Sequence, residues 1–370
     1  MKVVFLCSSL EPGRDGVGDY TRRLAAELVR QGHFSAVVSL NDKYISDVFN
    51  DIQQSEGTKL AVLRLPSVWP MKARIGYAKK FIEDFDPEWL SLQFVIFGFH
   101  PKGLPFGLSN QLAVLGLGRR WHIMFHELWL GMEKKSSKKH SLWGVIQRRL
   151  IKSLISTLNP GVIHTHTGLY QKQLTKLGFI VQHLPLFGNI PVTYVRDERM
   201  SFKREPTITF VSFGNIFPNA PVEDFASEAA CYAEKNGFEM YLTIIGHCGS
   251  EQKHWADKWA DAGVRVNVLG KQPVDNISKV LGGASIGLST TPVALIEKSG
   301  SVAAMLEHGL PVICLPFPWE PKDFDAKLPA GIMVYKKGNL ASILRNKIDL
   351  PINNNISVIT HQFVANLNGA

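Results

Sequence analysis

The chain has 370 residues, of which 45% are hydrophobic and 20% charged, a composition typical of globular proteins with full cores and a length that allows two domains. No apolar run approaches the ~18 residues that span a membrane, and the apolar stretch that opens the chain is too short for a signal peptide. The formal net charge of +9 lies in the first half, because residues 1–190 carry 24 Lys and Arg against 14 Asp and Glu. The four cysteines are widely separated, which favours reduced core thiols in a cytoplasmic protein.

Strand and helix patterns alternate through the first half of the chain. Short buried strands are predicted at residues 3–8, 36–40, 60–64, 89–95, 121–125 and 161–164. Helical patterns lie between them, for example at 20–31 and 73–85. This alternation predicts a parallel sheet covered by helices.

The same alternation restarts after a pause at 185–204. Strands are predicted at 208–214 and near 240–246, 264–270, 285–290 and 311–315, with helices near 221–236, 251–261, 274–281 and 300–308. The chain is thus predicted to be an α/β protein with two Rossmann-like, doubly wound domains facing across a cleft. The domains are placed at 1–190 and 191–355, and a C-terminal segment at 356–370 is expected to pack back on the first domain.

The segment from Lys298 to Pro311 says most about a ligand. Ser299-Gly300-Ser301 precedes a short apolar helix, and the amides at a helix start form an anion site that Lys298 would reinforce. Glu307 follows two helical turns later, about 12 Å along the same face. This geometry suits a diphosphate at the helix start and a ribose hydroxyl near the carboxylate. An ordinary capped helix explains the same residues equally well.

Two motifs follow predicted strands of the first domain. Gly16 and Gly18 would let the backbone approach a ligand closely, although Thr21 stands where the dinucleotide fingerprint needs a third glycine. Asp19 is also explained as a first-turn helix residue. His126 ends a later strand, where an imidazole can donate to a sugar hydroxyl or to a developing oxyanion. A structural histidine is the alternative.

Two further motifs follow strands of the second domain. Gly214-Asn215 ends its first strand, at an edge where such sheets bind phosphates. Gly270-Lys271-Gln272 ends a later strand, and its main-chain atoms could contact a nucleotide base.

The densest positive charge lies at 134–140 and is followed by an amphipathic stretch from Leu142 to Ile155. This stretch predicts a helix with an apolar stripe formed by Trp143, Ile146, Leu150 and Leu154. Off the stripe lie three basic residues, Arg148, Arg149 and Lys152. Such a helix could rest on an anionic membrane surface or bind an anionic acceptor. The alternative is an ordinary surface helix packed on its own domain.

Together these residues resemble the retaining, nucleotide-sugar-dependent glycosyltransferases of the GT-B fold (family 4-like, glycosyl transferases group 1). The likeness covers nearly the whole chain and is carried by residues 16–24, His126, Gly188-Asn189-Ile190-Pro191 and Lys298 to Pro311. It implies transfer of a hexose from a nucleotide-diphosphate sugar to an acceptor hydroxyl with retention, in glycan, polysaccharide or glycolipid biosynthesis. It also implies a nucleotide-sugar donor and a glycan, lipid or small-molecule acceptor as partners.

The resemblance implies roles for particular residues. The strand-end His126 contacts the donor sugar, and Glu307 matches the second glutamate of a Glu-x7-Glu pair, which holds the ribose. The first glutamate falls on Ser299, with Glu297 two residues earlier. The predicted catalytic residues are His126, Glu297 and Lys298. Donor and phosphate contacts are predicted at Gly16, Val17, Gly18, Gly214, Asn215, Lys298, Ser299, Gly300 and Ser301. Base or ribose contacts are predicted at Gly270, Lys271, Gln272 and Glu307, and acceptor contacts at Asp19 and Tyr20.

No metal or other cofactor is expected, because Lys298 and the helix start could stabilise the leaving diphosphate and no cluster of His and Cys ligands is evident in the sequence. The Arg and Lys that the family carries after the first strand of the second domain are missing from 214–220. The basic stretch at 134–155 could bring the protein to the inner face of the membrane, and nucleic acid is not an expected partner.

Two other functions stay open. A sugar-nucleotide epimerase of the same fold would need acid/base carboxylates, for which Glu127 and Glu297 are available. A non-catalytic sugar-nucleotide-binding subunit would explain the substituted glutamate.

Overall fold

The computed structural model describes residues 1–194, 207–346 and 348–370. It divides into two compact units. Unit 1 comprises Met1–Pro185 and Ile356–Ala370, and unit 2 comprises Leu186–Asn355. The first unit therefore ends a few residues before the boundary drawn from the sequence at 190. The whole of the polar run at 196–204 lies outside the described residues.

Fourteen strands are described. They are β1 (Lys2–Cys7), β2 (Phe34–Asp42), β3 (Phe49–Ser55), β4 (Thr58–Pro66), β5 (Trp89–Phe94), β6 (Arg120–Phe125), β7 (Val162–Thr165), β8 (Gln182–His183), β9 (Thr207–Phe213), β10 (Glu239–Ile245), β11 (Arg265–Gly270), β12 (Ile286–Ser289), β13 (Val312–Cys314) and β14 (Ile332–Val334).

Twelve α-helices are described. They are α1 (Gly16–Arg30), α2 (Met71–Phe85), α3 (Ile96–Phe99), α4 (Leu108–Ala113), α5 (Lys138–Leu158), α6 (Gly168–Thr175), α7 (Val222–Asn236), α8 (Gln252–Asp261), α9 (Val274–Gly283), α10 (Gly300–Glu307), α11 (Leu340–Arg345) and α12 (Ile356–Asn368). A 3-10 helix at Val293–Lys298 precedes α10. Within the described ranges, none of the helices has both the length and the apolar character needed to cross a membrane.

Unit 1 is built on a sheet with the strand order β3-β4-β2-β1-β5-β6-β7-β8. Its strands pair in parallel from β4 to β8, as the alternation predicts. One edge strand departs from this pattern, because β3 pairs antiparallel with β4. The hairpin turns at Glu56 and Gly57, which both have positive φ, the geometry that two-residue hairpin loops require.

The helix predicted from the basic stretch is present as α5, but its buried stripe is not the predicted one. Trp143, Ile146 and Leu150 are only half-buried, while Leu154 is buried. The buried face instead follows Gly144, Gln147, Ile151, Leu154 and Leu158. The buried Gln147 amide explains the shift, since its oxygen accepts from the Leu130 amide at 2.9 Å and its nitrogen donates to the Gly103 carbonyl at 3.2 Å. Arg148, Arg149 and Lys152 are exposed.

The C-terminal helix α12 completes the core of unit 1. The Phe363 ring is buried and stacks on Phe5 of β1 with 5.9 Å between ring centroids. Near the start of the helix, the Gln31 side-chain amide donates to the Ser357 carbonyl at 3.2 Å. The chain therefore returns to β1 and α1 after unit 2.

Unit 2 contains a six-stranded parallel sheet with the order β11-β10-β9-β12-β13-β14. Successive residues of β9 face opposite sides of this sheet, as the strand period of two requires. Phe210 packs with Phe225 and Trp259 on one side. Val211 packs with Met305 of α10 on the other. Both faces are thus covered by helices, and the carboxyl ends of the strands are where loops can meet a ligand.

The cysteines are unpaired, and three of the four are buried, Cys7 and Cys314 among them as the sequence predicts. Burial raises the pKa of Cys314 to about 12 and that of Cys248 to about 11. These two thiols are therefore core groups rather than nucleophiles.

Candidate functional site

In unit 2 the loop after β9 lies directly against the start of α10. A Cβ on Gly214 would lie 2.6 Å from the Ser301 Oγ, and φ at this residue is +95°. Only glycine therefore fits where the β9 loop meets the helix. The structure brings Gly214 close to the segment Ser299-Gly300-Ser301, which Lys298 directly precedes.

The start of α10 is capped by a weak hydrogen bond. The Ser299 Oγ accepts from the Val302 amide at a long 3.4 Å and lies 3.1 Å from the Ser301 Oγ. The first amides of the helix, those of Gly300 and Ser301, precede the intrahelical hydrogen-bond ladder. This end therefore offers amide donors, the helix dipole and a neutral hydroxyl pair to an anion.

Asn215 follows Gly214, but its carbonyl group contacts the end of β12. Its carbonyl is 3.4 Å from the Thr290 Oγ1, and the same hydroxyl accepts from the Phe217 amide at 2.8 Å. Thr290 follows β12, so these bonds tie the ends of β9 and β12 together. Sequence reasoning did not single out Thr290, which has no motif around it.

Glu307 is buried at the other end of α10, with 2% of its surface exposed. A Cβ on Gly188 would lie 2.6 Å from the Glu307 Oε2 and 2.7 Å from the Ala304 Cα. The segment around Gly188 thus covers the carboxylate, and a ribose could reach Glu307 only if this segment withdrew. Glu297 and Lys298 lie on the 3-10 helix and are half-buried.

The predicted base-contact segment ends β11, two strands from β9 and so roughly 10 Å away. The Gly270 carbonyl accepts from the Gly246 amide at 2.8 Å. The Gln272 amide group donates to the Leu269 carbonyl at 2.7 Å and accepts from Asn276 at 2.7 Å. Lys271 is exposed. The Gln272 side chain thus supports its own loop, and Lys271 is open to a ligand.

In unit 1 the start of α1 already holds an anion. The Asp15 Oδ1 accepts from the Val17 amide at 2.9 Å and from the Gly18 amide at 3.1 Å. The pKa of Asp15 is raised, chiefly by burial. A phosphate at Val17 and Gly18 would have to displace this carboxylate.

The glycines of this loop differ in their surroundings. A Cβ on Gly18 would lie 2.5 Å from the Ser9 carbonyl oxygen, so close packing of α1 on the loop after β1 requires glycine there. Around Gly16 the described chain leaves open space, with no heavy atom within 4 Å of such a Cβ. Gly16 is therefore one position of this loop, together with the equally open Gly13, at which a ligand could meet the backbone.

The two predicted acceptor residues are engaged within unit 1. The Asp19 Oδ1 accepts from the Gly13 amide at 3.1 Å and forms an ion pair with Arg22. Tyr20 is buried, and its ring meets those of His126 and His166 edge-on at 5.0 and 5.1 Å. An acceptor could contact Tyr20 only after rearrangement.

His126 lies in a buried cluster at the end of β6. Its Nε2 is 2.9 Å from the Gln93 Oε1 and its Nδ1 is 3.2 Å from the His166 Nε2. Both ring nitrogens are thus engaged within unit 1, and 7% of the residue is exposed. The expectation that the imidazole contacts a sugar requires one of these bonds to open.

A buried ion pair that sequence reasoning missed fixes the loop after β1. Arg64 Nε donates to Asp42 Oδ2 at 2.8 Å, and its Nη2 reaches Glu11 at 2.7 Å. Burial alone would raise the pKa of Asp42, but hydrogen bonds from Arg64 and from the amides of Tyr44 and Leu10 hold it below its usual value. The sequence does contain a signal for this ion pair, because Arg64 interrupts the apolar strand pattern Leu63-Arg64-Leu65.

Among the residues that the structure describes, no three His, Cys, Asp or Glu side chains are grouped as ligands of a metal ion would be. The expectation that no metal is needed stays a prediction.

No protein-family model matches the chain, and no curated relative matches it. Many solved structures do. HepE from Anabaena, in complex with UDP and glucose, has a TM-score of 0.61 at 14% identity over the whole of both chains. The UDP-GlcNAc 2-epimerase from Neisseria meningitidis, bound to UDP-GlcNAc, has a TM-score of 0.58 at 12% identity, also over both whole chains. The catalytic domain of starch synthase IV from Arabidopsis thaliana, bound to ADP and acarbose, has a TM-score of 0.55 at 12% identity over 100% of this chain and 99% of that one.

At these identities the likeness shows the fold. The chain has the GT-B fold, with two Rossmann-like domains built on mostly parallel sheets.

Proposed function

We propose that the chain is an enzyme that binds a nucleotide-diphosphate sugar and transfers the sugar to an acceptor hydroxyl with retention. The observation that carries this proposal is the difference between the two helix starts. The start of α1 is closed by a carboxylate, whereas among the described residues that of α10 is capped through a long bond to the neutral Ser299, and Lys298 precedes this cap. An anionic diphosphate therefore suits α10. Solved structures of the same fold that hold UDP, UDP-GlcNAc or ADP support a nucleotide-diphosphate ligand.

The chemistry would be electrostatic. The bond between the anomeric carbon and the diphosphate oxygen breaks, and the acceptor oxygen bonds to that carbon on the same face. The acceptor proton passes to the departing phosphate oxygen. Lys298 and the amides of Gly300 and Ser301 would stabilise the developing charge, the type of contribution that is often largest in catalysis. No side-chain nucleophile and no metal are then required.

The other proposed roles follow from position. Glu297, two residues before Ser299, would take the place of the family glutamate, and Glu307 would hold the ribose once the Gly188 segment withdraws. His126 would orient the sugar rather than attack it. Lys271, with the main chain of Gly270, would contact the base.

Thermal-shift measurements with UDP-, GDP- and ADP-sugars, with and without magnesium, test donor binding. A ligand of the folded state raises Tm by mass action, by an amount equivalent to about 2.7 kcal/mol at 100 times Kd. We expect a metal-independent shift with one nucleotide that Lys298→Ala abolishes. Lys279→Ala, an exposed lysine of α9, is the matched control and should keep the shift. Equal shifts in both variants would exclude the diphosphate from α10.

The alternative reaction is epimerisation, which the shared fold of the Neisseria meningitidis epimerase keeps open. Glu127 and Glu297 would then act as acid and base. Incubation with UDP-GlcNAc and no acceptor distinguishes the reactions, because an epimerase releases the 2-epimer and a transferase releases at most free sugar. A donor-dependent shift with no turnover of either kind would indicate a binding subunit.

A further inference from the structure

The loop that follows β10 in unit 2 carries an exposed histidine that has no role in the contacts proposed above. Residues 246–249 of this loop read Gly-His-Cys-Gly, and His247 is exposed. In the sheet of unit 2, β10 lies between β9 and β11. His247 therefore follows a strand that is one strand spacing, about 5 Å, from each of the two strands whose loops are proposed to contact the nucleotide. It lies at the carboxyl edge of the sheet, where such sheets bind ligands.

A main-chain hydrogen bond ties this loop to the loop after β11. The Gly246 amide donates to the Gly270 carbonyl at 2.8 Å. His247 directly follows the first of these glycines, and Lys271 directly follows the second. The side chains of His247 and Lys271 therefore start from neighbouring points of the same edge. Both residues are exposed, so one ligand can reach both.

The other side of the loop is held by the loop after β9. The Ile216 amide donates to the Cys248 carbonyl at 3.0 Å. A Cβ on Gly249 would lie 2.6 Å from the Asn215 Oδ1, so the two loops pack closely at this point. Because the loop after β10 is fixed on both sides, the sheet itself sets the position of His247.

The loop also holds the His247 ring as a hydrogen-bond donor. The Gly249 amide donates to the His247 Nδ1 at 3.3 Å. A ring nitrogen that accepts a hydrogen bond carries no proton, so in the neutral imidazole the proton lies on Nε2. Nε2 is on the far side of the ring from the Gly249 amide. The tautomer is thus set by the loop, and the Nε2–H group is the one that His247 offers to a ligand.

The side chains of the neighbouring loop add a second donor and no open acceptor. The Lys271 ammonium group can only donate. The amide of the next residue, Gln272, is engaged at both ends, because its Oε1 accepts from the Asn276 Nδ2 at 2.7 Å and its Nε2 donates to the Leu269 carbonyl at 2.7 Å. Together the two loops therefore offer a ligand the donors of His247 and Lys271, while the one side-chain amide that could accept is occupied.

We infer that His247 and Lys271 form a subsite for a nucleotide base that carries a carbonyl group, uracil or guanine, and that His247 selects this base. The inference rests on the proposed function, in which the loop after β11 contacts the base. Guanine presents its O6 and N7 as acceptors and uracil presents O4, whereas adenine and cytosine present an amino group that donates. An amino group placed against two donors would leave all three without an acceptor. The subsite therefore favours UDP- or GDP-sugars over ADP- or CDP-sugars.

Isothermal titration calorimetry of the full chain with UDP, GDP, ADP and CDP tests the subsite. We expect UDP or GDP to bind about 10-fold more tightly than ADP and CDP, the discrimination expected of one well-placed donor. The comparison of UDP with GDP identifies which of the two bases is preferred. Equal affinity for all four nucleotides, or a preference for ADP or CDP, would overturn the inference and leave the proposed function standing. If none of the four binds, the proposed function fails and the inference fails with it.

Variants of His247 separate selection of the base from general damage. His247→Leu removes the donor, so the preferred nucleotide should lose about 10-fold in affinity while ADP and CDP keep theirs. His247→Gln introduces an amide that can turn to present either its nitrogen or its oxygen. It should keep the affinity for the preferred nucleotide and raise that for ADP, a gain that a damaged fold cannot produce. His254→Leu, at an exposed position of α8, is the matched control and should keep the wild-type ratios. An unchanged ratio in both His247 variants would refute the role of His247.

Discussion

Some glycines of this molecule are required by close packing, whereas another lies in open space where a ligand could bind. Gly188 and Gly18 lie against backbone or carboxylate atoms that a Cβ would approach to 2.7 Å or less. Gly16 faces open space and has no positive φ among the described residues. The first two glycines are thus explained by the fold, and Gly16 is not.

Alanine substitution should distinguish these two groups. Gly188→Ala forces a Cβ against Glu307 and Ala304, and we expect it to lower the free energy of unfolding by about 1–3 kcal/mol. Gly16→Ala should change stability by less than about 0.5 kcal/mol. Urea denaturation measures both. Gly76→Ala, at an exposed position within α2, is the control and should stabilise by about 0.5–1 kcal/mol. A Gly188→Ala variant as stable as the wild type would contradict the packing described here.

Residue-level signals predicted only part of the candidate site. Gly214 and Ser299 to Ser301 lie together, because a loop after a parallel strand and a helix start share one edge of the sheet. The Asp15 cap was detectable, since Asp before a helix accepts from its first amides. The partners of His126 were not. Gln93 and His166 are 33 and 40 residues from it in sequence, and only the strand order makes them neighbours.

Among the elements, α5 presents the most distinctive surface. Arg148, Arg149 and Lys152 are exposed, and Leu142 near the start of the helix has 64% of its surface exposed. Trp143 is held by a bond from its Nε1 to the Lys102 carbonyl at 2.7 Å. The helix thus combines a basic face with an exposed apolar side chain, a combination suited to anionic lipid headgroups.

Charge reversal tests this surface. The triple variant with Glu at Arg148, Arg149 and Lys152 should lose binding to vesicles that contain anionic lipid, with each lost contact worth about 1 kcal/mol. Cosedimentation with anionic and with neutral vesicles measures the effect. Reversal of three exposed lysines elsewhere in unit 1, Lys59, Lys72 and Lys80, changes net charge equally and should retain binding. Equal loss in both variants would show a general charge effect rather than a docking helix.

The histidines of β6 and β7 should make unit 1 sensitive to acid. Burial lowers the pKa of His164 to about 4 and holds that of His122 well below its usual value. A folded-state pKa below the unfolded value means that stability is present above about pH 6.5 and is lost as the pH falls towards 4. His164 alone would account for about 3 kcal/mol.

Chemical denaturation across pH 7 to 4 measures this loss. His164→Phe should be less stable at pH 7 but less dependent on pH. The exposed His254 provides the comparison, and His254→Asn should keep the wild-type profile. A profile unchanged in His164→Phe would assign the acid sensitivity to other groups.

For the molecule as a whole, hydrophobic periodicity predicted the two parallel sheets and most of their helices. It missed β3, whose residues Phe49–Ser55 are largely polar because this edge strand is exposed. It also missed β14, which has only three residues. On α5 it selected apolar residues, whereas Gly144 and Gln147 occupy the buried face. Periodicity therefore locates elements with buried apolar faces and misses edges and polar packing.

The packing of α12 can be tested on the intact protein. Phe363 is buried against Phe5 and meets His122 edge-on at 5.1 Å. Phe363→Ala should destabilise unit 1 by about 3–5 kcal/mol. Hydrogen exchange read by mass spectrometry should then rise in β1, β6 and β7 while β9 and β10 keep their protection. Val358→Ala, at an exposed position on the same helix, should leave exchange unchanged. A uniform rise over both units would mean that they unfold as one.

The return of the chain to unit 1 affects how the protein folds during its synthesis on the ribosome. Unit 2 is one continuous stretch and can fold as soon as it emerges. Unit 1 is formed by two separate stretches of the chain. The packing of Phe363 and Asn366 on β1, β6 and β7 can therefore form only after all of unit 2 has been translated. During that interval the apolar face that α12 will cover is bare. A nascent chain stalled before Ile356 should therefore be the species that chaperones hold longest.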